Sequence, residues 1–347
     1  MGVITTGAKN ITVLQSLSPP DGTTRYVNQV VDGAPAAVTM RFFSWRTALL
    51  GRYDILHVHW PELLIRAPRP LKARLRRGAL YALLLRVRMQ RIPIVRTAHN
   101  LTPHEAGAGA ETRALNALDA RTALVIRLNP TTPVEPESRA VTILHGHYRD
   151  RFSGMTLPES VSGRILYFGL IRPYKGVETL LQVFRALPVP DLTLRIVGRP
   201  SSGLETVIST EAAQDPRISS VLRFVSDEEL VAEVGLAELV VLPYREMHNS
   251  GVLLVALSLD RPVLVPSTPS NLALADEVGP DWIYLYDGEL TPEILCDTLK
   301  RMRAAGAHRR PQLSGRDWKT LGLQSYQTYL RALQLTGRTV RAGRNTR

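Results

Sequence analysis

Two stretches of the sequence place cations and small residues where a strand gives way to a helix. The first, LYFGLIRPYKGVETLLQVF, runs from Leu166 to Phe184. Its strand ends at Gly169, where the backbone can bend or let a ligand approach closely. Arg172 and Lys175 then fall in the loop and the first helical turn. A helix N-terminus offers unpaired N–H groups and a partial positive charge. Arginine adds a two-oxygen grip and lysine a point charge, so the spacing suits a diphosphate. Two solvated surface cations would give the same pattern. The second stretch, LPYREMHNSGVLLVALSLDRPVLVP, repeats the plan from Leu242 to Pro266. A strand ends at Pro243, a polar loop follows, and Asn249, Ser250 and Gly251 open an apolar helix. Asn249 or Ser250 can cap that helix, and Gly251 leaves room for a phosphate over its N-terminus. Capping alone would need no ligand, but two such sites in one half favour anion binding. In the first half, HVHWPE carries His57, His59 and Glu62, and TAHNLTPHE carries His99, His104 and Glu105, each group at a predicted strand end. His57 and His59 share one side of their strand. Any one of these histidines reads equally as packed and hydrogen-bonded. As a group they suit proton transfer.

The elements that must position these residues alternate. NITVLQSL, YDILHVHW, IPIVRTAHN, TALVIRLN and AVTILHG read as buried strands, with helices between them, notably Lys72 to Gln90 and Glu111 to Ala120. The rhythm pauses in the polar stretch Arg149 to Gly163 and restarts at RILYFGLI. It then continues through LTLRIVGR, ISSVLRFV, ELVVLPYR and RPVLVPS. Ser226 with Glu229 three residues on spells a capping box. The fold class is therefore α/β, two doubly wound parallel-sheet halves with a cleft expected between them. Hydrophobic content of 44% supports large cores, and a single cysteine, Cys296, excludes a disulfide framework. No signal peptide or membrane-spanning run is evident, so a cytoplasmic protein is expected, or one peripheral to the inner face of the plasma membrane.

The Arg-x-x-Lys-Gly turn after a strand, followed by a glycine-started apolar helix running into RPVLVP, resembles the nucleotide-sugar half of GT-B glycosyltransferases. YDILHVHWPE and IVRTAHNLTPHE resemble first-half motifs of bacterial exopolysaccharide and lipid-linked-sugar transferases, and YLYDGELTPEILCDTLKRM resembles the family's late loop and helix. The resemblance implies two Rossmann-like domains facing across a cleft. These are an acceptor-binding domain over 1–150, a linker over 151–163 and a donor domain over 164–312. Residues 313–347 would form a helix packing back toward the first domain, with a basic tail. It implies that Gly169, Arg172, Lys175, Asn249, Ser250 and Gly251 hold the donor diphosphate, and that Tyr244, Glu246 and His248 meet its sugar or nucleotide. Many retaining members carry two glutamates flanking seven residues. Here those positions fall on His248 and Ala256, or on Met247 and Val255, and Glu246 is the nearby carboxylate. The NSGVLLVALSLDRPVL version is more similar to xanthan-type mannosyltransferases, which use GDP-mannose and invert the anomeric centre. The expected activity is mannose transfer to a hydroxyl of a lipid-linked or polysaccharide-precursor acceptor, in bacterial envelope or exopolysaccharide synthesis. No Asp-x-Asp stands on a strand edge, so neither metal nor cofactor is expected, the cations and helix terminus stabilising the leaving diphosphate. Glu105 or His104 is the expected base, His99 a sugar or phosphate contact, and His59 and Glu62 acceptor contacts. His145 and His147 are expected to line the hinge or cleft.

The net charge of +12 asks for an anionic partner. Part of it lies in RAPRPLKARLRRGALYALLLRVRMQR, Arg66 to Arg91, which contains no acid. Its helix can place Leu71, Leu75, Leu80, Leu83, Leu84 and Val87 on one broad face and rest on an anionic membrane, or pack that face into a core. Aromatic content of 6%, with no recognisable motif, argues against nucleic acid. Alternatives are a retaining UDP-sugar transferase, a non-catalytic polyphosphate or nucleic-acid binder on the same scaffold, and a phosphorylase or epimerase.

Overall fold

The computed structural model describes residues 9–20, 25–99, 109–306 and 310–339, and divides into two units. Residues 1–145 and 315–347 form the first and residues 146–314 the second.

The first unit begins β1 (Ile11–Gln15), α1 (Arg25–Asp32), β2 (Val38–Phe42), α2 (Trp45–Leu50), β3 (Ile55–Val58), α3 (Pro61–Ile65) and α4 (Pro70–Met89). It continues with β4 (Ile94–Ala98), α5 (Gly109–Asp119), β5 (Thr122–Arg127) and β6 (Ala140–Thr142). The second unit contains β7 (Arg164–Phe168), α6 (Val177–Arg185), β8 (Thr193–Val197), α7 (Leu204–Gln214), β9 (Ile218–Val221) and α8 (Asp227–Leu236). After these come β10 (Leu239–Val241), α9 (Gly251–Ser258), β11 (Val263–Pro266), α10 (Pro269–Val278), β12 (Ile283–Tyr286) and α11 (Pro292–Ala305). The last helix, α12 (Trp318–Leu335), belongs to the first unit.

Each unit is built on a six-stranded parallel sheet, ordered β2-β1-β3-β4-β5-β6 in the first and β12-β11-β10-β7-β8-β9 in the second. Central strands such as ILHV and RILYF are buried on both faces, which a parallel sheet sandwiched by helices demands. Two strands escape the sequence reading, β2 (VTMRF) and β12 (IYLY). Both are sheet edges: β2 alternates between half-buried and exposed residues, whereas the apolar IYLY of β12 is mostly buried. The Ser226–Glu229 capping box forms as expected at the start of α8.

Side chains alternate across the first sheet. Leu14, Leu56, Val58 and Ile94 pack on one side with Leu80, Leu83, Leu84 and Val87 of α4, while Ile11, Val13, Ile55 and Val95 pack on the other with Trp318, Leu321 and Tyr329 of α12. The expected broad face of α4 is thus divided. Leu80, Leu83, Leu84 and Val87 enter the core, whereas Leu71 and Leu75 are 70% and 66% exposed. Residues 151–163, expected as a linker, lie within the second unit. Phe152 and nearby Tyr148 are buried in its core, and Arg151 pairs with Asp227 at 2.6 Å.

In both sheets the chain runs outward from a central strand in one direction and later in the other. The switch points fall between β1 and β3, and between β7 and β10. Loops at the carboxyl ends of strands flanking such points are where open α/β sheets hold ligands.

Candidate active site

At the switch point of the second sheet, the two strand–loop–helix motifs are locked together. Gly169 has φ 109°, and a Cβ there would come within 2.9 Å of Val252 in the first turn of α9. The end of β7 therefore lies directly against the helix opened by Ser250 and Gly251. Ser250 is the cap, its Oγ accepting from the N–H of Leu253 at 3.3 Å. Beyond Gly169, Arg172 leads into a single 3-10 turn, Pro173–Lys175, rather than directly into α6. Gly176 ends this turn at φ 68°, and a Cβ there would overlap the carbonyl oxygen of Pro243. The Arg245 N–H donates to the carbonyl of Tyr174 at 2.9 Å. One surface thus carries Arg172, Lys175 and the N-terminus of α9.

The cations on that surface are held, not free-swinging. Arg172 donates from Nη1 to the carbonyls of Ile171 at 2.8 Å and Arg199 at 3.3 Å. Lys175 is half-buried, its Nζ 4.8 Å from the centre of the Tyr244 ring. Burial, then the charge of Arg172, lower the Lys175 pKa to about 8. An anion between the two cations would relieve both costs. Tyr244, expected to touch the donor, is buried with Lys175 over its ring. Glu246 is exposed, while Asn249 and His248 are half-buried, burial lowering the pKa of His248. Met247, Val255 and Ala256 are buried apolar residues, so neither alignment supplies the glutamate pair.

The first unit gathers its polar groups by strand parity. Gln15 follows Val13, His57 and His59 follow Ile55, and Thr97 and His99 follow Val95, so all five lie on the α12 side at adjacent strand ends. His59 Nε2–H donates to Gln15 Oε1 at 3.0 Å. An imidazole kept neutral has only its other nitrogen left to accept, so His59 Nδ1 accepts from His99 Nε2–H at 3.0 Å. The Gln15 amide nitrogen donates to the Tyr329 hydroxyl at 3.5 Å. That hydroxyl shares a hydrogen bond with His57 Nδ1 at 2.7 Å, and His57 Nε2 shares one with Thr97 Oγ1 at 2.8 Å. One glutamine amide therefore touches two chains and sets the tautomers of His59 and His99.

Burial lowers the pKa of His57 to about 3 and holds His59 and His99 well below the usual histidine range. Trp60 stacks on His99 with centroids 4.0 Å apart, and Tyr26 meets His99 edge-on at 5.0 Å. His59, expected as an acceptor contact, is 1% exposed with both nitrogens engaged, one of them by His99. Glu62 is half-buried in the first turn of α3. His104 and Glu105 lie outside the described residues. His145 is buried and its carbonyl accepts from Arg316 at 2.7 Å, whereas His147 is buried in the second unit. Gln15, Thr97 and Tyr329 went unrecognised in the sequence. Matching parity on neighbouring strands could have found the first two.

Two six-stranded parallel-sheet units, each with its switch point at the strand ends, make up the GT-B architecture. Residues 162–301 match the family model described as glycosyl transferases group 1. The chain is 49% identical over 332 residues, 95% of each protein, to a GDP-mannose:glycolipid 4-beta-D-mannosyltransferase of Xanthomonas campestris pv. campestris. HepE from Anabaena, solved in complex with UDP, shares the fold at a TM-score of 0.59 and 13% identity, covering 94% of this chain and 98% of that one. A glycosyltransferase from Rickettsia africae does so at 0.55 and 13%, covering 94% and 96%. The chain belongs to the group 1 glycosyltransferases and is a sugar-transferring enzyme.

Proposed function

We propose that the enzyme transfers mannose from GDP-mannose to a hydroxyl of a lipid-linked saccharide, inverting the anomeric centre without a metal. The observation that carries this reading is the single surface bearing Arg172, Lys175 and the α9 N-terminus. The donor is supported by the Xanthomonas relative, whose name specifies a β product. GDP-mannose holds mannose in the α configuration, so a β product requires an odd number of displacements, most simply one. The acceptor oxygen attacks C1, the bond from C1 to the diphosphate oxygen breaks with its electron pair leaving on GDP, and the hydroxyl proton passes to a base. Arg172, Lys175 and the helix N-terminus meet the charge that develops on the diphosphate, the work a divalent ion does elsewhere. The base is assigned to Glu105 or His104, with neutral His99 contacting the sugar and Glu62 the acceptor. The reaction serves envelope or exopolysaccharide glycan assembly at the inner face of the plasma membrane. The exposed side of α4 supports that location, and no helix among the described residues is long and apolar enough to cross a membrane.

Thermal shift with nucleotide sugars tests the donor. GDP-mannose should raise the melting temperature and UDP-glucose should not. Arg172→Ala and Lys175→Ala should each remove the shift and lower turnover by about a hundredfold or more, and chelator should leave turnover intact. Stabilisation by UDP-sugars alone, or undiminished turnover in both variants, overturns the assignment.

A further inference from the structure

Gln15 is a buried amide that the transfer reaction does not itself require. It is 1% exposed at the end of β1, and its oxygen ends the line that runs from His99 through His59. Chemistry sets the direction of that line. An amide oxygen only accepts, so His59 turns Nε2–H toward it, and the neutral ring then accepts through Nδ1 from His99 Nε2–H. Burial keeps His99 neutral as well, so with its proton on Nε2 the ring carries a lone pair at Nδ1. Turning the Gln15 amide over would place an NH2 group against His59, reverse both bonds and move the proton to His99 Nδ1. The ring plane is fixed too. Trp60 stacks 4.0 Å from His99 and within 17° of parallel, and Tyr26 meets its edge at 5.0 Å. His99 stands just beyond β4, at the carboxyl ends of the strands and beside the switch-point strand β3.

A partner at Nδ1 has to bring its own proton. A sugar hydroxyl can do so, whereas an ionised phosphate or carboxylate oxygen would set lone pair against lone pair. An imidazolium, or the other neutral tautomer, would reverse that preference. The polarity of His99 is therefore decided at the far end of the line, by which end of the Gln15 amide faces His59. We propose that Gln15 is a positioning residue for sugar transfer, acting through His59 to present His99 Nδ1 as an acceptor for a hydroxyl of the transferred sugar. This rests on the GDP-mannose reading, with His99 contacting the sugar. It adds the residue that sets the polarity of the contact, and it excludes a phosphate oxygen from that position.

Nitrogen NMR of the enzyme with isotopically labelled histidine side chains, assigned through His99→Gln, reads the tautomer without any ligand. His99 should be protonated at Nε2 and not at Nδ1. GDP-mannose should move the Nδ1 resonance, and GDP alone should leave it in place. Gln15→Met, similar in length but lacking the amide, should mix the tautomers of His59 and His99. It should weaken GDP-mannose by about fivefold to tenfold, the value of one hydrogen bond, and leave the calorimetric affinity for GDP unchanged. His59→Leu should do the same. His59→Asn, whose amide oxygen stands in for Nδ1 as acceptor, should restore both the spectrum and the affinity. Cooperative melting reports that each variant is folded. A proton on His99 Nδ1 in the wild type overturns the inference, and that readout needs no variant. An Nδ1 resonance that answers equally to GDP, or that ignores bound GDP-mannose, also overturns it. So does a folded Gln15→Met that binds GDP-mannose as the wild type does. A wild-type enzyme with the stated tautomer that binds no GDP-mannose would reject the donor assignment and leave the polarity set by Gln15 standing.

Discussion

Lys175 occupies a position that disfavours its own charge. It is half-buried, beside Arg172, with its Nζ over the face of Tyr244. A lysine on an open surface stays protonated past pH 10, but this one loses its proton near pH 8. A diphosphate favours the protonated form and so raises the pKa when it binds. Between the free and bound values, binding takes up a proton, and affinity falls as pH rises. The dissociation constant for GDP should therefore rise by up to about tenfold per unit above pH 8. Lys175→Arg, whose charge persists, should flatten that dependence. Calorimetric titration with GDP from pH 7 to 9.5 checks it, and a flat wild-type profile would remove Lys175 from the diphosphate site. His99 presents the opposite case. Burial keeps it neutral, and the chain through His59 to Gln15 fixes which nitrogen carries the proton, so it reaches its contacts as a defined donor and acceptor.

Alternation along β1, β3 and β4 delivers the buried polar cluster, and α12 completes it with Tyr329. The cluster has a cost that depends on pH. His57 titrates near 6.5 when unfolded but only near 3 in place. Below pH 6.5 the unfolded chain binds the extra proton first, so stability falls as pH falls, by about 2 kcal/mol at pH 5 from this residue alone. Urea melts followed by tryptophan emission should show the first unit weakening between pH 7 and 5, with a smaller change in His57→Asn. An identical pH slope in the variant would place the acid sensitivity elsewhere. The same elements show what a sequence discloses. The β7 and β10 motifs were legible because each is local, with strand end, turn residues and helix start consecutive in the chain. The link from His57 to Tyr329 spans 272 positions, and nothing near either residue announces the other. The edge strand β2 was missed because VTMRF carries no continuous apolar run, whereas the apolar IYLY of β12 was read into the late loop and helix. The helix α4 was found, but it carries apolar residues on two sides, and periodicity cannot say which side meets the core.

At the scale of the whole molecule, the charge of +12 and the outer side of α4 belong to one argument. Leu71, Leu75, Leu85 and Met89 fall within a narrow sector of the helix, the sector turned to solvent, and exposed Lys72, Arg74 and Arg88 accompany them. Between Arg66 and Arg91 stand nine cations and no acid. Cations alone would bind any polyanion, and leucines alone would favour self-association. Together they match the surface of an anionic bilayer, where each basic residue near the headgroups contributes about 1 kcal/mol and apolar side chains enter the acyl boundary. The protein should therefore co-sediment with vesicles containing phosphatidylglycerol and only weakly with pure phosphatidylcholine, salt reducing but not abolishing binding. Leu75→Gln with Leu85→Gln should remove the salt-resistant part. Arg74→Gln with Arg88→Gln should remove much of the salt-sensitive part, and both pairs are exposed enough to leave the fold intact. Binding that vanishes entirely at moderate salt, matches that to heparin and ignores the leucine substitutions would show a general basic surface in place of a membrane-docking helix.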